Sequence, residues 1–299
     1  MRIIRHPRRK KLKGSVVALG TFDGVHRGHQ KVIKSAVRYA KKIRAASLAI
    51  TFDPHPQQLI VPERGLKLLT TLAEREDLFC RLGVDGVVVI VFNKRVQGLS
   101  YGAFVEKYLV KKLGVRQVFV GFDYAFGKGR KGGLGHLRQL GKKFGFGVSV
   151  IPPVSSDHHA IKSGMIREQV SRGEFGRAVR RLGHPYQVSG KVVRGSGRGR
   201  SLGFPTANLK TDPHKLVPAH GVYAGRVGGR KCAVNIGARP TFGADSSLVE
   251  VHILGFKGDL RGKTLGVELL KRLRDEIQFS DVEDLKEQIK RDIDQVKRL

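Results

Sequence analysis

Cysteine is scarce in this chain: there are two in 299 residues, Cys80 and Cys232. Two separated thiols cannot build a disulfide framework, neither stands in a CxxC pair, and no cysteine and histidine cluster has the spacing of a zinc site. Any metal is therefore expected to be a hard cation held by oxygen and by substrate phosphates. Long apolar runs are missing too. The longest, around residues 87–92, is far too short to cross a bilayer, and the N-terminus lacks the apolar centre of a signal peptide. These absences predict a soluble, cytoplasmic protein with no membrane partner. Acidic residues are few, with 25 Asp and Glu against 57 Lys and Arg, a formal net charge of +32. A field of that sign attracts phosphate-rich molecules. Yet the cations run along the whole chain, densest at 2–13 and 190–200, without a zinc finger, a heptad after a basic region or an aromatic ribonucleoprotein signature. Two readings remain: a basic surface suited to nucleotide substrates, with no dedicated nucleic-acid partner, and a nucleic-acid-binding protein.

The residues present, 40% of them hydrophobic, suffice for a sizeable core, and the length suggests two domains. Strand patterns at 15–22, 47–52, 86–92, 117–122 and 148–151 alternate with helical patterns at 29–44, 72–82, 102–113 and 134–144. That alternation predicts a Rossmann-like parallel sheet covered on both faces, with ligands at the C-terminal ends of its strands. A helical stretch over 163–182, broken near Gly173, stops at Gly183-His184-Pro185. Beyond it the strand patterns at 186–193, 221–227, 231–236, 248–256 and 264–270 follow one another through glycine and proline turns, and 281–296 is an amphipathic helix. Such a run predicts an antiparallel barrel or sandwich with a terminal helix. The domains are expected at 1–183 and 184–299.

Three constellations carry chemistry. Gly20-Thr21-Phe22-Asp23-Gly24-Val25-His26-Arg27-Gly28-His29 lies between the first strand and first helix, where free backbone N–H groups and the helix dipole favour an anion. His26 and His29 are placed to reach a nucleotide phosphate, although an isolated HxGH is as often a capped loop with two surface histidines. It matches neither the Rossmann glycine fingerprint nor a Walker A loop. Farther on, a basic glycine loop over 195–200 precedes Gly203-Phe204-Pro205-Thr206-Ala207-Asn208, supplying backbone N–H groups, cations, a hydroxyl and an amide suited to triphosphate and magnesium. Glu250 lies on a predicted strand, where spacing alone does not separate a catalytic base from an outward-facing carboxylate.

The first motif resembles the signature of the nucleotidyltransferase superfamily, and Thr51-Phe52-Asp53-Pro54-His55-Pro56 with Val120-Gly121-Phe122-Asp123-Tyr124-Ala125-Phe126-Gly127 resembles its flavin-adenylylating members. The Pro205-Thr206-Ala207-Asn208 cluster is similar to the riboflavin kinase signature. So are the blocks 221–225, 235–242 and 249–254, with Arg274 and Phe279. The whole chain thus resembles the bifunctional riboflavin kinase/FAD synthetases. This resemblance implies a nucleotidyltransferase domain that transfers AMP from ATP to FMN, through Gly20, Phe22, Asp23, His26, His29, Asp123, Ser163 and Arg167. It also implies a β-barrel kinase domain that makes FMN from riboflavin, with Glu250 as base, Thr206 and Asn208 on Mg2+ and ATP, and Gly195, Gly203 and Arg274 in the binding site. The implied enzyme is a monomer or weak homo-oligomer. Two departures stand out. Ile161-Lys162-Ser163-Gly164-Met165-Ile166-Arg167 keeps Ser163 and Arg167 but lacks a serine and a threonine of the family's second phosphate motif, so a kinase with a degenerate adenylyltransferase half is a further reading. Gly255 and Arg261 replace the family's Asp and Tyr beside the kinase site, where they would reshape the loop at the flavin pocket.

Overall fold

The computed structural model describes residues 2–5, 14–195, 197–238 and 247–299. It separates into two compact units, residues 1–66 with 72–162 and residues 67–71 with 163–299.

The first unit alternates strands and helices: β1 (Arg2–Arg5), β2 (Val16–Leu19), α1 (Arg27–Lys42), β3 (Ser47–Asp53), α2 (Pro56–Ile60), α3 (Leu72–Arg81), β4 (Gly86–Val91), α4 (Lys94–Gln97), α5 (Tyr101–Phe104), β5 (Gln117–Gly121), α6 (Leu134–Phe144) and β6 (Gly147–Ile151), with a small hairpin β7 (Ser155–Ser156) and β8 (His159–Ala160). The six long strands form one parallel sheet in the order β1-β4-β3-β2-β5-β6. Successive side chains alternate faces. Val17, Leu19, Leu48, Ile50, Val88, Ile90, Val118 and Val120 enter one buried cluster, while Val16, Ala18, Ala49, Val87, Val89 and Phe119 enter another against α1 and α3. Strand order reverses between β2 and β5, so the crevice of this sheet opens at their C-terminal ends. Several elements differ from expectation: α2, α4 and the β7–β8 hairpin are additional. The predicted helix over 102–113 is α5 continued by a π-helix over Val105–Lys112, and the basic opening contributes a strand, β1, paired with β4.

The second unit begins with α7 (Ser163–Ser171) and α8 (Phe175–Leu182), separated at Gly173. Phe175, 1% exposed, sets its ring edge against Tyr186 and Tyr223, so α8 packs on the barrel that follows. Strands β9 (Tyr186–Val193), β10 (Ala207–Thr211), β11 (Gly221–Val227), β12 (Arg230–Ala238), β13 (Ser247–Ile253) and β14 (Thr264–Arg274) close in the order β10-β13-β12-β11-β14-β9, every pair antiparallel. A single turn, α9 (Arg198–Ser201), sits before β10, and α10 (Val282–Arg298) ends the chain. The unit is a barrel rather than a sandwich because β9 pairs with both β10 and β14, leaving no edge. Alternate residues, among them Tyr223, Val234, Ile236, Val249, Val251 and Val267, are buried inside. Their neighbours point outward, partly beneath α10.

Candidate functional site

The barrel's outward face carries one continuous rung. Asn208 on β10 is register-paired with Glu250 on β13, Glu250 with Asn235 on β12, Asn235 with Val222 on β11, and Val222 with Arg274 on β14. Residues directly opposite across antiparallel strands share a face, with Cβ atoms about 4.5–5.5 Å apart. All five line one cavity of about 600 Å³ whose apolar wall includes Phe204, Ile277, Phe279, Leu285 and Ile289. A second cavity of about 560 Å³ is lined by Arg194, Arg200, Lys257 and Arg261 among others. Arg194, Gly195, Thr206 and Asn208 belong to both. An apolar chamber and a cationic chamber therefore meet at a hydroxyl and an amide, with the Glu250 carboxylate on the apolar side.

Local packing explains the residue types. The backbone of Gly195 lies so close to Asn208 that a Cβ there would overlap the Asn208 side-chain amide. Gly203 has φ +89°, a left-handed conformation that side chains disfavour, where the chain turns into Phe204-Pro205-Thr206. His252 donates from Nδ1 to the Pro205 carbonyl at 2.9 Å and meets Phe204 edge-on, fastening that turn to β13. Arg274 lines the cavity, and its guanidinium also grips Asp292 of α10: Nε donates at 3.0 and 3.1 Å to the two carboxylate oxygens and Nη2 at 2.7 Å to Oδ2. The terminal helix is thus held as the cavity's wall. Arg261 lines the cationic chamber, not the apolar one that the family resemblance implies. It holds Asp259, whose carboxyl its hydrogen bonds bring down to about 2. Arg239, Pro240, Thr241 and Phe242 of the predicted kinase block, and Ser196 of the glycine loop, lie outside the described residues.

In the first unit, residues 20–29 join β2 to α1 at the sheet's switch point, with Asp123 just beyond β5. His26 is the N-cap of α1, its Nδ1 accepting the His29 N–H at 3.3 Å. The two imidazoles stack with centroids 3.6 Å apart and planes 22° off parallel, and Phe22 meets His29 edge-on at 5.3 Å. Phe22, Asp23 and His26 are buried, whereas Asp123 is exposed. Phe22 and Val25 have φ 52° and 39°, an uncommon backbone for side chains of this size. The structure therefore brings Gly20, Phe22, Asp23, His26 and His29 together, while Ser163 and Arg167 are carried by α7 in the second unit. His55 caps α2, accepting the Gln57 N–H at 3.2 Å.

Two residues of these candidate sites carry no signal of a role in the sequence. Asn235 lies within the block 235–242, but only strand register puts it beside Glu250. Arg75 on α3 belongs to no motif, yet it is fully buried and bonded to both signature loops.

Comparison with known proteins decides the family. A FAD synthetase family model matches residues 8–165 and a riboflavin kinase model matches residues 182–299. The chain belongs to the bifunctional riboflavin kinase/FMN adenylyltransferase family. Relatives of that description include those of Escherichia coli, 34% identical over 285 residues, 94% of this chain and 91% of the relative, and of Pseudomonas fluorescens, 36% over 300 residues, 98% and 96%. The bifunctional riboflavin kinase/FMN adenylyltransferase of Listeria monocytogenes is 38% identical over 283 residues, 93% and 90%. A crystal structure described as a macrolide-efflux protein from Streptococcus pneumoniae superposes with TM-score 0.88 at 30% identity over the whole of both chains. No described helix of the present family member is long and apolar enough to cross a membrane.

Proposed function

We propose that the barrel half, 184–299, phosphorylates riboflavin to FMN with ATP, and that residues 1–183 transfer AMP from a second ATP to FMN, releasing pyrophosphate. On this division α7, with Ser163 and Arg167, serves the adenylyltransferase half. The observation that carries the kinase assignment is the meeting of the apolar and cationic chambers at Thr206 and Asn208. The apolar chamber suits an isoalloxazine ring, and Arg194, Arg200, Lys257 and Arg261 suit the phosphates of ATP.

Glu250 takes the proton of the ribityl 5′-hydroxyl as that oxygen attacks the γ-phosphorus, and ADP leaves with the electron pair of the broken P–O bond. Asn235, its cross-strand neighbour, orients the carboxylate or the hydroxyl. The Thr206 hydroxyl and Asn208 amide fit Mg2+, which takes hard oxygen donors and relies on substrate phosphates for much of its coordination. Such an ion would supply charge neutralisation on the ATP phosphates. In the other half, His26 and His29 at the start of α1 would donate to the phosphates of ATP as pyrophosphate departs, with Gly20, Phe22 and Asp23 shaping the loop and Asp123 facing the flavin. We take the enzyme to be cytoplasmic and a monomer or weak homo-oligomer.

The test is a time course of purified protein with riboflavin, ATP and Mg2+, separated by chromatography. FMN appearing first and FAD after it supports both halves. FMN alone removes the adenylyl-transfer reading, and no flavin product from folded protein removes both.

A further inference from the structure

One buried side chain in the first unit joins the loops of the nucleotide site without belonging to either. Arg75, 0% exposed on α3, donates from Nη1 to the Thr21 carbonyl at 2.9 Å, to Thr51 Oγ1 at 2.9 Å and to the Phe52 carbonyl at 3.4 Å. Thr51 Oγ1 in turn donates to the same Thr21 carbonyl at 2.8 Å. Thr21 opens the loop that carries His26 and His29, and Thr51 and Phe52 lie near the end of β3, ahead of Asp53-Pro54-His55-Pro56. The nitrogen is thus a common anchor for the ends of two neighbouring strands. A guanidinium suits this place, because its donors are rigid and it keeps its charge when buried. Burial pulls Arg75 below its usual value, and the charges of Asp23, Asp53, Glu76 and Glu74 oppose that pull.

The anchored loop needs holding. Phe22, the residue after Thr21, has φ 52°, and Val25 has φ 39°. Non-glycine residues in this region persist only where the surroundings impose them. The Phe22 ring packs edge-on against His29, and the His29 ring stacks on His26. A chain of contacts therefore runs from the anchor at Thr21 through Phe22 to both imidazoles. Arg75 itself has no exposed surface.

We infer that Arg75 is a positioning residue for adenylyl transfer: its guanidinium fixes the Thr21 carbonyl, and through it holds the His26 and His29 imidazoles where the nucleotide phosphates bind. The inference rests on the adenylyltransferase reading of this half. A displacement of the order of 1 Å at reacting groups costs roughly a hundredfold in rate, which sets the size of the expected effect.

The experiment uses full-length protein and assays both reactions in each preparation, FAD from FMN and ATP, and FMN from riboflavin and ATP. Arg75→Met keeps the length of the side chain and removes its donors. It should lower kcat for FAD formation by about a hundredfold, with riboflavin phosphorylation unchanged. Arg75→Lys retains a charged donor and should recover about tenfold of that loss. Thr51→Val removes one corner of the triangle and should slow FAD formation by itself, while Arg75→Met/Thr51→Val should be no slower than Arg75→Met, because the two side chains act through one contact. FAD formation by Arg75→Met within about threefold of the parent overturns the inference, since packing alone would then suffice. So does a lysine variant no better than methionine, which would assign the side chain to core filling. If Arg75→Met fails to fold, Thr51→Val decides, and a parent-like rate there overturns the inference. A parent enzyme that makes FMN but no FAD removes the underlying reading instead.

Discussion

The two candidate nucleotide sites of this chain are built from different material. In the barrel, Asn208, Glu250, Asn235 and Arg274 stand on one rung of paired strands, so main-chain hydrogen bonds set their spacing and α10 closes the chamber. In the parallel sheet, His26 and His29 belong to a loop and the first turn of a helix, and side-chain bonds from Arg75 and Thr51 fasten that loop's entry. A rung tolerates loss of one side chain without moving the others, whereas a loop does not. Substitutions in the barrel should therefore act on chemistry or on α10, and substitutions around 20–29 should act through geometry.

The largest effect that sharpens this contrast is at Glu250. Glu250→Gln keeps the side chain's size and its place in the ladder but removes the proposed base. We expect FMN formation to fall by between about a hundred- and ten-thousandfold, while FAD formation from supplied FMN is unchanged, as product chromatography will measure. A fall in both activities would mean that the two sites are not separable in this way.

Next comes the clip between Arg274 and Asp292, at 2.7 Å with only 19% and 4% of the two side chains exposed. Removing one partner of a buried pair costs about 3–5 kcal/mol, and the partial exposure of Arg274 argues for the lower end. Asp292→Asn should lower the stability of the barrel by about 3 kcal/mol in urea unfolding followed by circular dichroism, and raise KM for riboflavin as α10 loosens. Stability unchanged within error would mean that the helix is held by its apolar face alone.

How far these sites could be read in the sequence follows from the same contrast. Parallel strands such as Ser47–Asp53 and Gly86–Val91 announce themselves by buried apolar runs, and α1 by its 3.6-residue spacing. The strand Ala207–Thr211 carries no strand signal, because its sequence, ANLKT, gives up the apolar pattern where Asn208 lines the cavity. The pairings Asn208 with Glu250 and Glu250 with Asn235 depend on register, which strands far apart in sequence do not display. Arg75 reads as one more cation on an amphipathic helix, in a chain with 57 Lys and Arg, and only burial distinguishes it. Motif resemblance points to candidate residues for both sites, and the fold shows what holds them.

A smaller effect tests whether the loop site has adjusted to its missing hydroxyls. Lys162 is exposed directly before Ser163, the first residue of α7. If its ammonium replaces those hydroxyls on a phosphate, Lys162→Ala should raise KM for ATP in FAD formation by about tenfold, the low end for a charge-assisted contact. Riboflavin phosphorylation should be unaffected in the same assay. Lys162→Ser with Gly164→Thr should then bring little gain. A large gain would identify the parent as a kinase with a degenerate adenylyltransferase half.

The smallest effect concerns the two thiols, one in each unit. Cys80 is exposed on α3, while Cys232 is fully buried inside the barrel and burial pushes its thiol up to about 12. Iodoacetamide at pH 8 should therefore add once per native chain, at Cys80, and twice in urea, as mass spectrometry will count. The same burial predicts a pH dependence with a definite sign. An unfolded Cys232 loses its proton near pH 8.5, well before the folded one, so above that pH the unfolded chain binds fewer protons and stability falls as pH rises toward about 12. Cys232→Ala should flatten that alkaline slope at the expense of a small cavity. Two adducts on native protein would show instead that the closed barrel opens readily, and would weaken the claim that its rung, rather than its loops, fixes the kinase site.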